Sequence, residues 1–144
     1  MSSTFERSFA QHLLTGMACH CSPAEQEACL SHCAGFHYEN TVLKNDLEKY
    51  AGDLSGFIEF ASGEWGWTIN VDEAENKIYV DENKNYCACP IVNNTDAAVS
   101  DVLCECSNMF IGKLFSLILQ KDVQASVVRS YLRDKQSCVY EVTL

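Results

Sequence analysis

Two pairs of cysteines are the residues of this 144-residue chain whose spacing first points to chemistry. Cys87 pairs with Cys89 and Cys104 pairs with Cys106, with one residue inside each pair and fourteen residues between the pairs. We expect the first pair on a strand over 85–91, where side chains two residues apart lie on the same face. Thiolates are preferred zinc ligands, so the two pairs are candidate ligands of one metal ion.

Cys29 and Cys33 form a third pair, four residues apart on a predicted helix and therefore one turn apart on one face. With the four central thiols they complete the predicted metal-ligand set, and zinc is the expected metal. The spacing matches no ferredoxin cluster motif. In a reducing compartment the same cysteines can instead be small core residues or reactive thiols. The residues alone leave these three uses open.

Cys106 is also the best candidate nucleophile or redox sensor. It stands at the start of a helix predicted over 106–121, where the partial positive charge of the helix terminus lowers the pKa of a thiol. Cys104 is near enough in sequence to resolve a sulfenate on it. In the alternative, Ser107 caps the helix and both cysteines pack into the core.

Two histidines and two tryptophans are the remaining candidates. His20 and His32 each adjoin a cysteine, so either can act as a base or a nitrogen ligand. Trp65 and Trp67 are predicted to line a ligand pocket. The alternatives are exposed histidines at helix ends and tryptophans that only cover the core.

The charge balance disfavours two classes of partner. Ten basic against twenty acidic residues give a net charge of −10, which repels nucleic-acid phosphates and anionic lipid surfaces. We therefore expect no nucleic acid and no membrane among the partners. The sequence shows no secretory leader and no apolar run near 18 residues, and an odd count of nine cysteines disfavours a secreted disulfide framework. The expected location is cytoplasmic.

Hydrophobic periodicity predicts an α+β domain spanning 1–144, helical over about 1–62 and sheet-helix-hairpin over about 63–144. N-terminal helices pack on an antiparallel sheet, and a long helix precedes a C-terminal β-hairpin. A capping box begins the second helix at Ser22, and Gly35 is expected to end it. The predicted helices span about 4–18, 23–34, 41–51, 54–62 and 106–121, and the predicted strands 67–71, 77–80, 85–91, 123–132 and 137–143.

Several short motifs resemble known families. Cys104-Glu-Cys-Ser, Gln120-Lys-Asp-Val and Ser137-Cys-Val-Tyr-Glu-Val resemble the last third of 4-vinyl-reductase-like domains and of L-2-amino-thiazoline-4-carboxylic acid hydrolases. Tyr86-Cys-Ala-Cys-Pro-Ile-Val-Asn and Ala28-Cys-Leu-Ser-His-Cys-Ala resemble a cysteine-rich branch of that group. The resemblance covers roughly 86–144 and, more weakly, 25–35.

This resemblance implies a small-ligand pocket between the helices and the sheet, with zinc near it in related sensory domains. Cys106 or Cys104, together with Cys138, falls at the relatives' zinc positions, and Cys138 joins the predicted pocket lining. Val127 and Ser130 stand where the relatives have a carboxylate and a middle cysteine, so that zinc shell is incomplete here.

Three functions follow as expectations. The first is a small-ligand-binding or sensing domain with a cysteine-lined, metal-loaded site. The second is a hydrolase acting on a small cyclic carbon–nitrogen compound, with Cys106 as nucleophile or metal ligand and His20 or His32 as base. The third is a non-catalytic interaction subunit, for which a homodimer burying the first helix is the expected assembly.

Overall fold

The computed structural model describes residues 4–41, 44–89, 92 and 100–144. Within these ranges the fold is α+β, with helices packed on a four-stranded antiparallel sheet and a long helix ahead of the two C-terminal strands, as predicted. In chain order the elements are α1 (Thr4–His20), α2 (Pro23–Asn40), α3 (Lys44–Glu48), α4 (Leu54–Trp65), β1 (Thr68–Asp72), β2 (Lys77–Asp81), α5 (Leu103–Leu119), β3 (Gln124–Arg129), α6 (Tyr131–Asp134) and β4 (Val139–Thr143).

The sheet has the strand order β1-β2-β4-β3, and alternation along the strands sorts its two faces. Ile69 pairs with Val80, which pairs with Tyr140 on the next strand, and all three are buried. α5 packs against this inner face through β3 and β4, while α2 packs on the other side of α5. The inner face of the sheet and the two helices therefore enclose the core.

Aromatic rings fill the main core between α4, α5 and the sheet. Phe57 and Phe115 are fully buried, with ring centroids 5.7 Å apart and nearly perpendicular planes. This edge-to-face geometry is the one favoured by the ring quadrupoles. A second cluster, which includes Leu30, Val102 and Cys106, continues the core toward α2.

α1 buries little of its apolar surface. Of its residues only Leu14 is buried, whereas Phe5, Phe9 and Leu13 are 75%, 59% and 58% exposed. The helix predicted over about 4–18 is confirmed and runs to His20. Ser3, which forms a capping-box pattern with Glu6 in the sequence, lies outside the described residues. The apolar stripe that the sequence shows on α1 faces solvent in the monomer.

α2 begins as predicted and ends later than predicted. The Ser22 hydroxyl accepts from Glu25 N at 3.2 Å, and the Glu25 carboxylate accepts from Ser22 N at 3.0 Å. Gly35 does not end the helix, which continues to Asn40. The added turn brings His37 onto the ring of Phe110, with centroids 4.5 Å apart. This packing against α5 overrides the weak glycine stop signal.

Other boundaries also differ from prediction, and α4 continues past Gly63 to Trp65 instead of ending near residue 62. The described part of the segment predicted as a strand over 85–91, residues 85–89, forms no strand. α5 begins at Leu103, three residues earlier than expected. The end of the strand predicted over 123–132 is instead the one-turn helix α6, capped by Ser130, whose hydroxyl accepts from Arg133 N at 3.1 Å. No helix in the described ranges combines the length and apolarity needed to span a bilayer.

Candidate functional site

A cavity of about 340 Å³ opens between α5, one end of the sheet and residues 87–89. Its walls come from parts of the chain far apart in sequence, and they bring together seven of the side chains singled out from the sequence. These are Cys87, Cys89, Cys104, Cys106, Cys138, Trp65 and Trp67.

Four other predicted site residues do not line this cavity. Cys29, Cys33, His20 and His32 are all exposed on α1 and α2. Burial raises the pKa of the Cys106 thiol, and Cys33, which adjoins it from α2, adds to the rise. The ligand role of Cys29 and Cys33 and the base role of His20 and His32 stay predictions, and the cavity geometry does not support them.

α5 supplies one wall of the cavity. Leu103, Ser107, Phe110 and Ile111 recur at helical spacing on that wall, and Cys104 and Cys106 flank the same stripe. The helix starts earlier than predicted because apolar residues of its first turn are buried, although Val102 at the cap provides no side-chain hydrogen bond. Ser107 is therefore inside the helix and does not cap it.

The prediction that a helix N-terminus lowers the pKa of Cys106 is wrong, because the pKa of this thiol is raised. The thiol is buried in the fourth position of α5, and burial, reinforced by Cys33, raises its pKa to about 11. Burial outweighs the favourable effect of the helix N-terminus. At pH 7 only about one molecule in 10⁴ carries this cysteine as thiolate. A buried thiol of this kind is a poor nucleophile.

Cys104 is in a different environment from Cys106. Side chains two residues apart on a helix do not face each other. Burial raises the pKa of Cys104, a hydrogen bond from the Ser130 hydroxyl opposes that rise, and Cys87 adds to it. Cys104 therefore adjoins Cys87 and Ser130, while Cys106 adjoins Cys33 on α2. This arrangement gives no support to Cys104 as the resolving partner of Cys106.

Cys138 has polar neighbours in the cavity wall. Tyr140 adjoins both Ser107 and the Cys138 sulfur. The same sulfur accepts from the backbone N of Tyr131 at 3.4 Å. Burial raises the pKa of Cys138 to about 11 and the pKa of Tyr140 far above its ordinary range. Both groups are protonated at neutral pH.

The first cysteine pair reaches the cavity without a strand. Cys87 is buried and Cys89 half-buried. Burial raises the pKa of the Cys87 thiol, and the backbone N–H of Cys89 moderates that rise by a hydrogen bond. Both residues line the cavity, and they do so from an irregular segment instead of the predicted strand.

A tight connection between α4 and β1 places the two tryptophans. Gly66 adopts a φ of 71°, a left-handed conformation that glycine accepts without strain, and ends α4. Asn83 Nδ2 donates to the Gly66 carbonyl and to Thr68 Oγ1, both at 2.8 Å. The two indole centroids, of Trp65 and Trp67, lie 4.8 Å apart.

Glu82 is the cavity residue that the sequence interpretation missed. Its backbone N donates to the Cys138 carbonyl at 3.0 Å, so the two residues adjoin at the end of β2 and β4. Burial raises the pKa of Glu82 to about 7, Asp81 adds to the rise, and Lys84 opposes it. Strand alternation carries the signal that identifies it, because Ile78, Val80 and Glu82 occupy successive inward positions.

His37 is a second missed residue, and it lines the opposite wall. It was overlooked because the helix that carries it was expected to end at Gly35. Desolvation lowers the pKa of His37, so the imidazole is neutral at pH 7. With four protonated thiols, Tyr140 and this imidazole, the cavity is nearly uncharged apart from Glu82.

The fold and the site define an α+β domain with a cysteine-lined cavity. The placement of the side chains also shows whether they could hold the predicted metal ion. Within the described ranges no group of three or more His, Cys, Asp or Glu side chains is close enough to hold one ion. The side chains as placed do not form the predicted zinc set, so zinc stays a sequence-based prediction.

A scan against models of known protein families finds no match, and a search of curated proteins finds no significant one.

Proposed function

We propose that this domain binds or senses a small, mainly apolar molecule in the cysteine-lined cavity. The observation that carries the proposal is the convergence of five cysteines, two tryptophans and Glu82 on one space of about 340 Å³. Ligand pockets span roughly 300–1,000 Å³, and a cavity of about 150 Å³ already holds benzene. The space therefore fits a ligand of one ring with a short substituent.

The chemistry of the walls favours binding over thiol catalysis. Burial raises the pKa of Cys87, Cys104, Cys106 and Cys138. A thiol nucleophile needs the opposite, a lowered pKa or an adjacent base that takes its proton. Protonated thiols act instead as soft, polarisable wall groups that contact an apolar ligand well.

The two tryptophans provide the test. They are the only tryptophans of the sequence and both line the cavity, so their emission reports on its occupancy. We expect a saturable change in emission on titration with 2-phenylethanol. Cys89→Phe places a ring in the cavity and should weaken binding at least about tenfold, whereas Cys29→Phe on the exposed face of α2 should leave it unchanged.

A titration that is linear in 2-phenylethanol, or equal weakening by Cys89→Phe and Cys29→Phe, would contradict the proposal. The first result would show non-specific partitioning. The second would show that the effect does not come from the cavity.

Hydrolysis of a small cyclic carbon–nitrogen compound is a second candidate, favoured by Glu82. A carboxyl group with a pKa of about 7 in a cavity is suited to general-base catalysis, in which it takes a proton from the attacking water. If 2-amino-thiazoline-4-carboxylate is turned over, Glu82→Gln should reduce kcat at least about 100-fold. His20→Ala and His32→Ala should leave it unchanged, and turnover that survives in Glu82→Gln would remove this candidate.

Zinc binding is tested separately, since the proposed function does not depend on it. Protein purified without oxygen is analysed for metals together with the Cys104→Ser variant. About one equivalent of zinc that is lost in the variant would confirm the sequence-based prediction, and less than about half an equivalent would contradict it.

A further inference from the structure

The Glu82 carboxylate lies in the cavity wall, and among the described residues it has no partner. The structure gives it neither a hydrogen bond nor an ion pair to any residue that it describes. Lys84, the nearby cation, donates instead to the Trp65 carbonyl at 2.6 Å. Among the described residues that line the cavity, Glu82 is the one carboxylate, and none is a lysine or arginine.

Every element packed around Glu82 presents a neutral or weakly compensating group. Cys138 and Tyr140 face it from β4, and Cys87 faces it from the segment after β2. All three are protonated at pH 7 because burial raises their pKa values. Lys84 and Asp81, on its own segment, act in opposite directions. In the part of the chain that the structure describes, no neighbour supplies a full compensating charge at the carboxylate.

We propose that the ligand of this cavity is a small organic cation, an amine or amidinium with an apolar body, whose charge lies against Glu82 and the indole faces of Trp65 and Trp67. This inference rests on the proposed ligand-binding function. A desolvated, unpaired carboxylate is unfavourable, and a cationic ligand supplies the missing partner. Tryptophan is the ring with the strongest attraction for cations, and both rings line the same cavity as the carboxylate.

The proposal requires that Glu82 be ionised when the cation binds. Because its pKa is raised to about 7, the carboxylate is mostly protonated at pH 6 and mostly ionised at pH 8. An alkylammonium keeps its charge over this range, with a pKa of about 10. Affinity for the cation should therefore rise about tenfold from pH 6 to pH 8, while affinity for a neutral analogue stays constant.

Three probes of nearly equal size separate charge from shape: phenethylamine, 2-phenylethanol and phenylacetate. Each is titrated into the full chain at pH 6 and pH 8, with tryptophan emission as the readout. We expect phenethylamine to bind at least about tenfold more tightly than 2-phenylethanol at pH 8, and phenylacetate to bind most weakly.

Two variants that each remove one negative charge give the matched comparison. Glu82→Gln should abolish both the preference for phenethylamine and its pH dependence, while binding of 2-phenylethanol persists and shows that the variant is folded. Glu59→Gln, on the exposed face of α4, should behave as wild type.

Equal binding of all three probes, or an unchanged preference in Glu82→Gln, would overturn the inference and leave the proposed function standing. A wild-type protein that binds none of the three would overturn both.

Discussion

Six of the nine cysteines occupy two opposite environments. Cys19, Cys29 and Cys33 lie exposed on α1 and α2, whereas Cys87, Cys106 and Cys138 are buried around the cavity. Spacing assigned Cys29 and Cys33 of the first group, and Cys87 and Cys106 of the second with their partners Cys89 and Cys104, to one predicted metal site. The structure separates them because helical periodicity turns the first group outward, and because α5 and the sheet enclose the second. The spacing of cysteines identifies candidate sites, but only packing determines which thiols share a space.

The largest contrast between the exposed helix α1 and the buried core should appear in the free energy of unfolding. Phe57 is fully buried in the main core, so Phe57→Ala should lower the free energy of unfolding by about 3–5 kcal/mol. Phe9 on α1 is 59% exposed, and Phe9→Ala should change it by no more than about 0.5 kcal/mol. Urea denaturation measures both, and equal losses would show that α1 belongs to the cooperative core.

Thiol reactivity should show the next largest contrast. With a pKa of about 11, Cys106 should react with iodoacetamide at neutral pH at least about 100-fold more slowly than an ordinary exposed thiol. Cys29, which is exposed, should be labelled first. Mass spectrometry of quenched time points measures the rates, and labelling of Cys106 as fast as Cys29 would refute the buried assignment.

The pH dependence of stability should show a smaller effect that depends on Glu82. Burial raises its pKa from an ordinary value of 4.5 to about 7, so the folded state holds this proton more tightly than the unfolded state. Folding stability should therefore fall as pH rises from about 4.5 to 7, by roughly 3 kcal/mol from this group. In Glu82→Gln that part of the decline should be absent, and parallel curves for the two proteins would contradict the assignment.

Polar substitutions in the apolar stripe of α1 should have little effect on the stability of the monomer. The same substitutions test the predicted homodimer. Phe9→Ser with Leu13→Ser should leave the unfolding free energy of the monomer within about 1 kcal/mol, since both side chains are exposed. If α1 is the dimer face, sedimentation should show a dimer that this double variant converts to monomer and that Val128→Ser, an exposed change on β3, does not. A wild-type monomer at all concentrations would contradict the homodimer.

The predictable part of the fold is the part with strong local signals. The capping box of Ser22 and Glu25 gave the start of α2, and the alternation on either side of residues 72–76 gave the β1–β2 hairpin. The predicted end of α2 at Gly35 and the predicted start of α5 at Cys106 were both wrong, because the local signals there are weak. α2 continues past Gly35 because His37 stacks on Phe110 of α5. α5 begins without a capping side chain because its first turn is buried.

The sequence predicted the cysteines and tryptophans of the candidate site, but it did not predict its charged residue, Glu82. Cysteine and tryptophan are conspicuous by type, whereas Glu82 resembles any other acidic residue after a strand. Its role depends on three facts that the linear sequence does not contain: the neighbouring Cys138 carbonyl, the closure of the cavity by residues 87–89, and the engagement of Lys84 with Trp65.

The most direct test of the account is whether the cavity exists with the walls assigned to it. Xenon enters dry apolar cavities of about 150 Å³ and is readily located by its electron density, so a crystal pressurised with xenon is the decisive specimen. The account predicts a xenon site in contact with Trp67, Cys106 and Cys138. A structure in which these side chains are packed apart in separate apolar surroundings, with no xenon between them, would contradict it.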